Sequence, residues 1–151
     1  MVENKKIKIG CASAFWGDTN DAAAQLVKSN ELNYLVFDFL AEVTMSILAA
    51  AKIKNPDLGY ATDFISQTGP LLGEIKSQGI KVISNAGGIN PIACREALIK
   101  EADKQGLNFK IAIVEGDNLF HQKDNFLKNS VRDIDTNSDM PKSVTSINAY
   151  L

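Results

Sequence analysis

Asp38 and Glu42 are the first residues in the chain whose types and spacing offer chemistry. Asp38 closes the strongly apolar run 32–39, and Glu42 follows four positions later. A carboxyl at the end of such a run is expected to be half-buried, with its pKa raised into the range of a general acid or base. Two carboxylates facing one cleft could share a proton or hold a divalent ion such as Mg²⁺. The structural alternative is that Asp38 caps the following helix and Glu42 complements the dipole in its first turn.

The second feature is Asn85-Ala86-Gly87-Gly88-Ile89-Asn90-Pro91. It follows the β-branched run of Ile80, Val82 and Ile83, a buried strand by pattern. Asn90 stands where an N-cap belongs and Pro91 at the first helical position. Strand, glycine turn and helix start together aim free backbone N–H groups at an anion. Asn85, Gly87, Gly88 and Asn90 are therefore candidate contacts for a phosphate or carboxylate. The alternative is a tight turn that needs glycine for its backbone angles alone. Neither the nicotinamide-binding G-x-G-x-x-G pattern nor a P-loop lysine is present.

Other candidates carry weaker signals. Glu115 and Asp117 bracket Gly116 and fit a cleft or a solvated turn. His121 is the sole histidine, so no second one supports a zinc site. Cys94 lies near a helix N-terminus, where a thiol can be acidified, but its apolar neighbours point to plain packing. Phe15 and Trp16 could line a pocket for an apolar tail or close the core.

The elements that must position these residues read as follows. Strands are expected at 6–12, 32–39, 80–84 and 109–114. Helices are expected from a cap at Asp18 or Thr19 to about 28, over 42–53 with burial on most sides, and over 63–77, with Asp63 as N-cap. That last helix is offset at Gly69-Pro70 and stopped by Gly79. A fourth helix runs over 91–105, closed by Gly106. The polar stretch 123–139 reads as a mobile surface segment. Alternating strands and helices predict an α/β fold, a Rossmann-like parallel sheet of about four strands with helices on both faces; half of a (β/α) barrel is the alternative. Ligands of such sheets bind beyond the carboxyl ends of the strands. That edge gathers Ser13 and the loop to Asp18, then Asp38 and Glu42, then Asn85 to Asn90, then Glu115 and Asp117.

The 151 residues suit a single domain, 1–151. The close on Tyr150 and Leu151 leads us to expect that the natural polypeptide continues. Composition is ordinary, 45% hydrophobic and 23% charged. A net charge of −2 gives no basic face for nucleic acid. No apolar stretch is long enough to span a bilayer, and 1–10 lacks a signal-peptide core. Two cysteines in unrelated contexts make no disulfide framework, so a cytoplasmic location is expected.

The run from Tyr34 to Leu48, YLVFDFLAEVTMSIL, resembles the acyclic terpene utilisation family, AtuA-like proteins, in the N-terminal part of their core domain. The resemblance extends in order over Gly17-Asp18, Gly59-Tyr60-Ala61-Thr62-Asp63-Phe64, Asn85 to Pro91 and the closing Asn148-Ala149-Tyr150. It implies a bacterial cytoplasmic protein in the catabolism of acyclic terpenes and branched acids, whose intermediates are acyl-CoA thioesters. It also implies the N-terminal portion of a longer core domain, and either a homo-oligomer or a missing C-terminal part. The expected function is an enzyme, hydratase- or lyase-like, acting on a branched acyl-CoA or related acid. Asp38, Glu42 and Glu115 would then move protons, while Asp18, Asn85, Gly87, Gly88, Asn90 and Asn148 hold the substrate. The alternative is a binding or assembly module without chemistry, and a nucleotide-binding regulator is a weaker third.

Overall fold

The computed structural model describes residues 6–149. Residues 1–5 and the closing Tyr150 and Leu151 lie outside the described residues. The chain forms two compact units, one up to Ile113 and one from Val114 onward.

The first unit runs β1 (Ile9–Ser13), α1 (Ala22–Lys28), β2 (Tyr34–Phe37), α2 (Glu42–Lys54), α3 (Thr62–Thr68), a 3₁₀ turn at Gly69–Leu71, α4 (Leu72–Gln78), β3 (Lys81–Ser84) and α5 (Pro91–Lys104). The three strands are parallel, in the order β1-β2-β3. Gly69 and Pro70 break the α3–α4 stretch as expected, and Gly79 stops it in the left-handed region at φ 69°. Two cap assignments differ from the sequence reading. α1 starts after Asp21 rather than Asp18 or Thr19, and Ala61 precedes α3, which puts Asp63 inside its first turn.

Register decides which side chains share a face. Ile9 pairs with Tyr34 and Tyr34 with Lys81; Cys11 pairs with Val36 and Val36 with Ile83. Gly10 and Ala12 alternate with these in β1, and Leu35 and Phe37 in β2. That second set faces the core, where Ala12, Leu35 and Phe37 join Ala23 and Val27 of α1, Phe64 of α3, Ile75 of α4 and Cys94 of α5. Phe37 stacks on Phe39 at 5.7 Å and meets Phe64 edge-on at 5.2 Å. The first set faces outward: Ile9 is 65% exposed and Ile83 54%.

The expectation of helices on both faces is therefore corrected: among the described residues they cover one. The cause is topological. Right-handed crossovers between neighbours in the order β1-β2-β3 carry each intervening helix to the same side. Covering the other side needs a strand order that reverses, and these three strands do not reverse.

The expected fourth strand is also corrected, so the sheet has three strands rather than about four. Residues 109–114 keep a strand's alternation, with Phe109, Ile111 and Ile113 half-buried between exposed neighbours, but they join no ladder. Their contacts are with helix side chains instead. Phe109 packs on the core beneath the Lys76 ammonium, 5.8 Å from the ring centre, and the Ile111 carbonyl accepts from Arg95 Nε at 3.3 Å. In α2, Thr44, Met45, Leu48 and Ala49 are buried. Val43, Ile47 and Ile53 are exposed, so burial on most sides is not found.

The second unit contains a 3₁₀ turn at Phe120–Gln122 and the short α6 (Lys123–Lys128). Asn118 bridges Asn148 in antiparallel fashion. Within the polar stretch, Arg132 bridges Asp139 and pairs with its carboxylate at 3.3 Å. Among the described residues no helix is long and apolar enough to cross a membrane.

Candidate functional site at the strand ends

A β-bulge opens the site. Register shifts between Cys11 and Ser13, so Ser13 pairs with Phe37 and turns inward instead of following Cys11 to the open face. Ser13 is buried, and its Oγ donates to the Asp38 carbonyl at 3.3 Å. The Asp38 N–H returns a bond to the Ser13 carbonyl at 3.2 Å. The ends of β1 and β2 are thereby locked together.

Asn85 locks the third strand to them. Its Oδ1 accepts from the Phe39 N–H at 2.8 Å, and its Nδ2 donates to Asp38 Oδ1 at 2.7 Å. A backbone N–H can only donate and a carboxylate only accept, so the two bonds fix the amide's orientation. One carboxylate oxygen of Asp38 is thus held in place across 47 positions of sequence. The expected half-burial of Asp38 is not found: the residue is exposed. Nor does Asp38 cap α2, whose N-cap is Ala41. Glu42 is exposed in the first turn of α2, where its charge complements the dipole.

The glycine turn has spent much of its backbone. The N–H groups of Ala86, Gly88, Ile89 and Asn90 bond to Ser84 Oγ and to the carbonyls of Asn85, Gly59 and Gly87. Close approach explains both glycines. A Cβ on Gly88 would collide with Leu48 Cδ1 and reach 2.8 Å from the Gly59 carbonyl oxygen, and φ is 51° there. One on Gly87 would sit 2.9 Å from Pro91 Cβ. Asn90 precedes α5 as expected, but its side chain does not cap. Its Nδ2 donates instead to the Pro56 and Leu58 carbonyls at 2.9 and 2.7 Å. With Pro91 lacking an N–H, the uncapped first turn of α5 presents the N–H groups of Ile92 and Ala93, which have no helical acceptor.

Asp18 stays near its own strand, accepting from the Ala14 N–H at 3.0 Å. Gln67 ties the same loop to α3 by donating to the Thr19 carbonyl at 3.0 Å. Sequence reasoning missed Gln67, whose only signal was a polar residue on an apolar helix face. It also missed Lys52, which donates from α2 to the Ile89 carbonyl at 2.8 Å.

Glu115 is exposed and belongs to the second unit. So does Asn148, whose Nδ2 donates to Asp117 Oδ2 at 2.9 Å. His121 is exposed in the 3₁₀ turn. Cys94 is buried among apolar groups, which push its thiol up to about 11; the helix N-terminus does not acidify it. No group of three or more His, Cys, Asp or Glu side chains able to hold a metal ion occurs among the described residues.

A separate groove of about 360 Å³ lies among Tyr60, Thr62, Ile65, Ser66, Pro70 and Glu101. Burial pushes the Tyr60 phenol up, and Glu101 pairs with Lys104 at 2.6 Å. The groove shares no residue with the Ser13–Asp38–Asn85 cluster.

Three of the segments singled out by resemblance, 34–48, 59–64 and 85–91, meet in space within the first unit. Asn85 holds Asp38, the Ala61 N–H donates to the Ala86 carbonyl at 2.8 Å, and the Ile89 N–H to the Gly59 carbonyl at 3.0 Å. No curated protein and no solved structure matches the chain. The model of one family, described as acyclic terpene utilisation family protein AtuA, matches residues 7–151, and with nearly the whole length covered the chain belongs to that family.

Proposed function

We propose that the protein is an enzyme, or the catalytic half of one, acting on a branched acyl-CoA or related acid in acyclic terpene catabolism. The observation that carries this reading is the carboxylate of Asp38, oriented by Asn85 at the carboxyl end of the sheet. Family membership supports the metabolic setting. A held, solvent-open carboxylate can remove the proton next to a thioester carbonyl, the step that hydration and lyase chemistry share. The electron pair of the broken C–H bond moves onto the thioester oxygen. The uncapped N–H groups of Ile92 and Ala93 suit that developing negative charge. The proton held on Asp38 returns to carbon or passes to water. Glu42, in the first turn of α2, serves as the second carboxylate.

Hydrogen exchange tests this without knowledge of the net reaction. Isovaleryl-CoA in deuterated buffer should gain deuterium next to its carbonyl in the presence of the full chain. Asp38→Asn should abolish the gain, and Asn85→Ala should slow it roughly tenfold by freeing the carboxylate. Exchange that survives Asp38→Asn overturns the reading. No exchange by the unaltered protein favours the alternative, a binding or assembly module.

A further inference from the structure

One peptide unit at the carboxyl edge of the sheet, the one joining Asp38 to Phe39, is gripped from both sides. Its carbonyl accepts from Ser13 Oγ at 3.3 Å, and its N–H donates to Asn85 Oδ1 at 2.8 Å. The peptide unit before it is held as well, because the Asp38 N–H donates to the Ser13 carbonyl at 3.2 Å. The φ and ψ of Asp38 are the only soft rotations between these two planes. Holding both planes therefore fixes the direction in which the Asp38 side chain leaves the backbone.

We propose that Ser13 is a positioning residue for proton transfer by Asp38, and that the β-bulge in β1 serves to bring its hydroxyl to the Asp38 carbonyl. This role rests on the acyl-CoA reading above and gives β1 a part in that chemistry. In a regular strand Ser13 would follow Ile9 and Cys11 onto the open face. Register shifts after Cys11 instead, so Ala12 and Ser13 are both buried and Ser13 pairs with Phe37. A bulge disrupts the ladder locally, and it commonly re-aims a side chain beside a functional site.

Ser13 and Asn85 hold different parts of the same residue. Asn85 Nδ2 donates to Asp38 Oδ1 at 2.7 Å and so sets the side-chain torsions, whereas Ser13 acts only through the backbone. Ser13 is 3% exposed, which shields its hydroxyl from competing water, while the Asp38 carboxylate stays open to a substrate. Alanine would fill the same space and supply no donor. A drift of about 1 Å in a catalytic group is enough to slow a reaction up to about a hundredfold. A hydroxyl that never meets the thioester can therefore set the rate at which Asp38 takes its proton.

Deuterium gain by isovaleryl-CoA, followed over a range of thioester concentrations with the full chain, tests the proposal. Ser13→Ala should lower the rate at saturation about fivefold and leave KM within about twofold, because no binding contact is touched. Ser13→Cys, whose thiol is a weaker donor, should fall between the two. Ser13→Ala combined with Asn85→Ala should lose about tenfold rather than the roughly fiftyfold product, since both act through one carboxylate. A thermal melt of each variant establishes that it is folded at the assay temperature. Full rate at saturation in Ser13→Ala, or in Ser13→Cys should the alanine variant not fold, overturns the proposal and leaves the acyl-CoA reading standing. A rise in KM alone, or losses that multiply, does the same. No exchange by the unaltered protein overturns that reading and this role together.

Discussion

Leu35 and Val36 are neighbours in β2 and differ by one methylene, yet Leu35 is sealed in the core and Val36 is half open. The same split runs through β1, where buried Gly10 and Ala12 alternate with exposed Ile9 and Cys11. A strand points successive side chains to opposite faces, so each face inherits whatever layer the topology brings to it. Here all the described crossover helices serve one layer. Strands with apolar residues on both faces therefore owe their burial to topology: among the described residues one face is sealed by helices and the other lies open.

The largest expected contrast is mechanical. Phe37→Ala removes a ring that contacts both Phe39 and Phe64 from the covered face. Denaturant unfolding should show a loss of about 3–5 kcal/mol. Ile83→Ala, on the open face, should cost less, about 1 kcal/mol, since more than half of that side chain stays in water. Equal costs would erase the distinction between the faces.

The two cysteines report the same contrast chemically, because Cys11 lies on the open face and Cys94 in the core. At neutral pH a disulfide reagent should modify one thiol in the folded protein and two after unfolding. The sign of the pH effect follows from burial, which raises the Cys94 pKa in the folded state to about 11 from 9.0. The neutral thiol is thus favoured by folding. Its contribution is complete below pH 9.0 and disappears as pH rises toward about 11. A loss of roughly 3 kcal/mol over that window is expected, and Cys94→Ala should flatten it.

Most of the covered layer was legible in the sequence. Gly69-Pro70, Gly79, Pro91 and Gly106 punctuate helices where local chemistry says they must, because backbone angles are decided within a few residues. Asp38 and Asn85 were both legible as strand-end residues, but their 2.7 Å bond was not, since it depends on strand order and register. The bulge at Ser13 was invisible for the same reason. The 109–114 run shows the limit most plainly. Its alternation is that of a strand, and local pattern cannot tell an extended segment held by Arg95 and Lys76 from one held by a neighbouring strand.

Gly88 tests whether the turn at the sheet's end is shaped by packing. Gly88→Ala places a methyl against Leu48 and the Gly59 carbonyl, and about 2 kcal/mol should be lost. Leu48→Ala alone should cost about 2–5 kcal/mol, and the pair should cost less than the two losses summed, because the Leu48 side-chain tip is one of the two obstacles. If the pair of changes simply adds, Leu48 is not what the glycine accommodates.

Asn85 carries a small stability effect and the sharpest meaning. Truncation to alanine deprives the Phe39 N–H of its acceptor and Asp38 of its donor, with water free to replace only the exposed bond. A loss of about 1 kcal/mol is expected, nearly all of it from the Phe39 N–H. Asp38→Ala should therefore cost only a few tenths of a kcal/mol, and the double change should cost little more than Asn85→Ala alone. A large cost for Asp38→Ala would mean that the carboxylate holds the strand ends together. A small one leaves it free to serve chemistry, as a residue that the fold positions at almost no expense to itself.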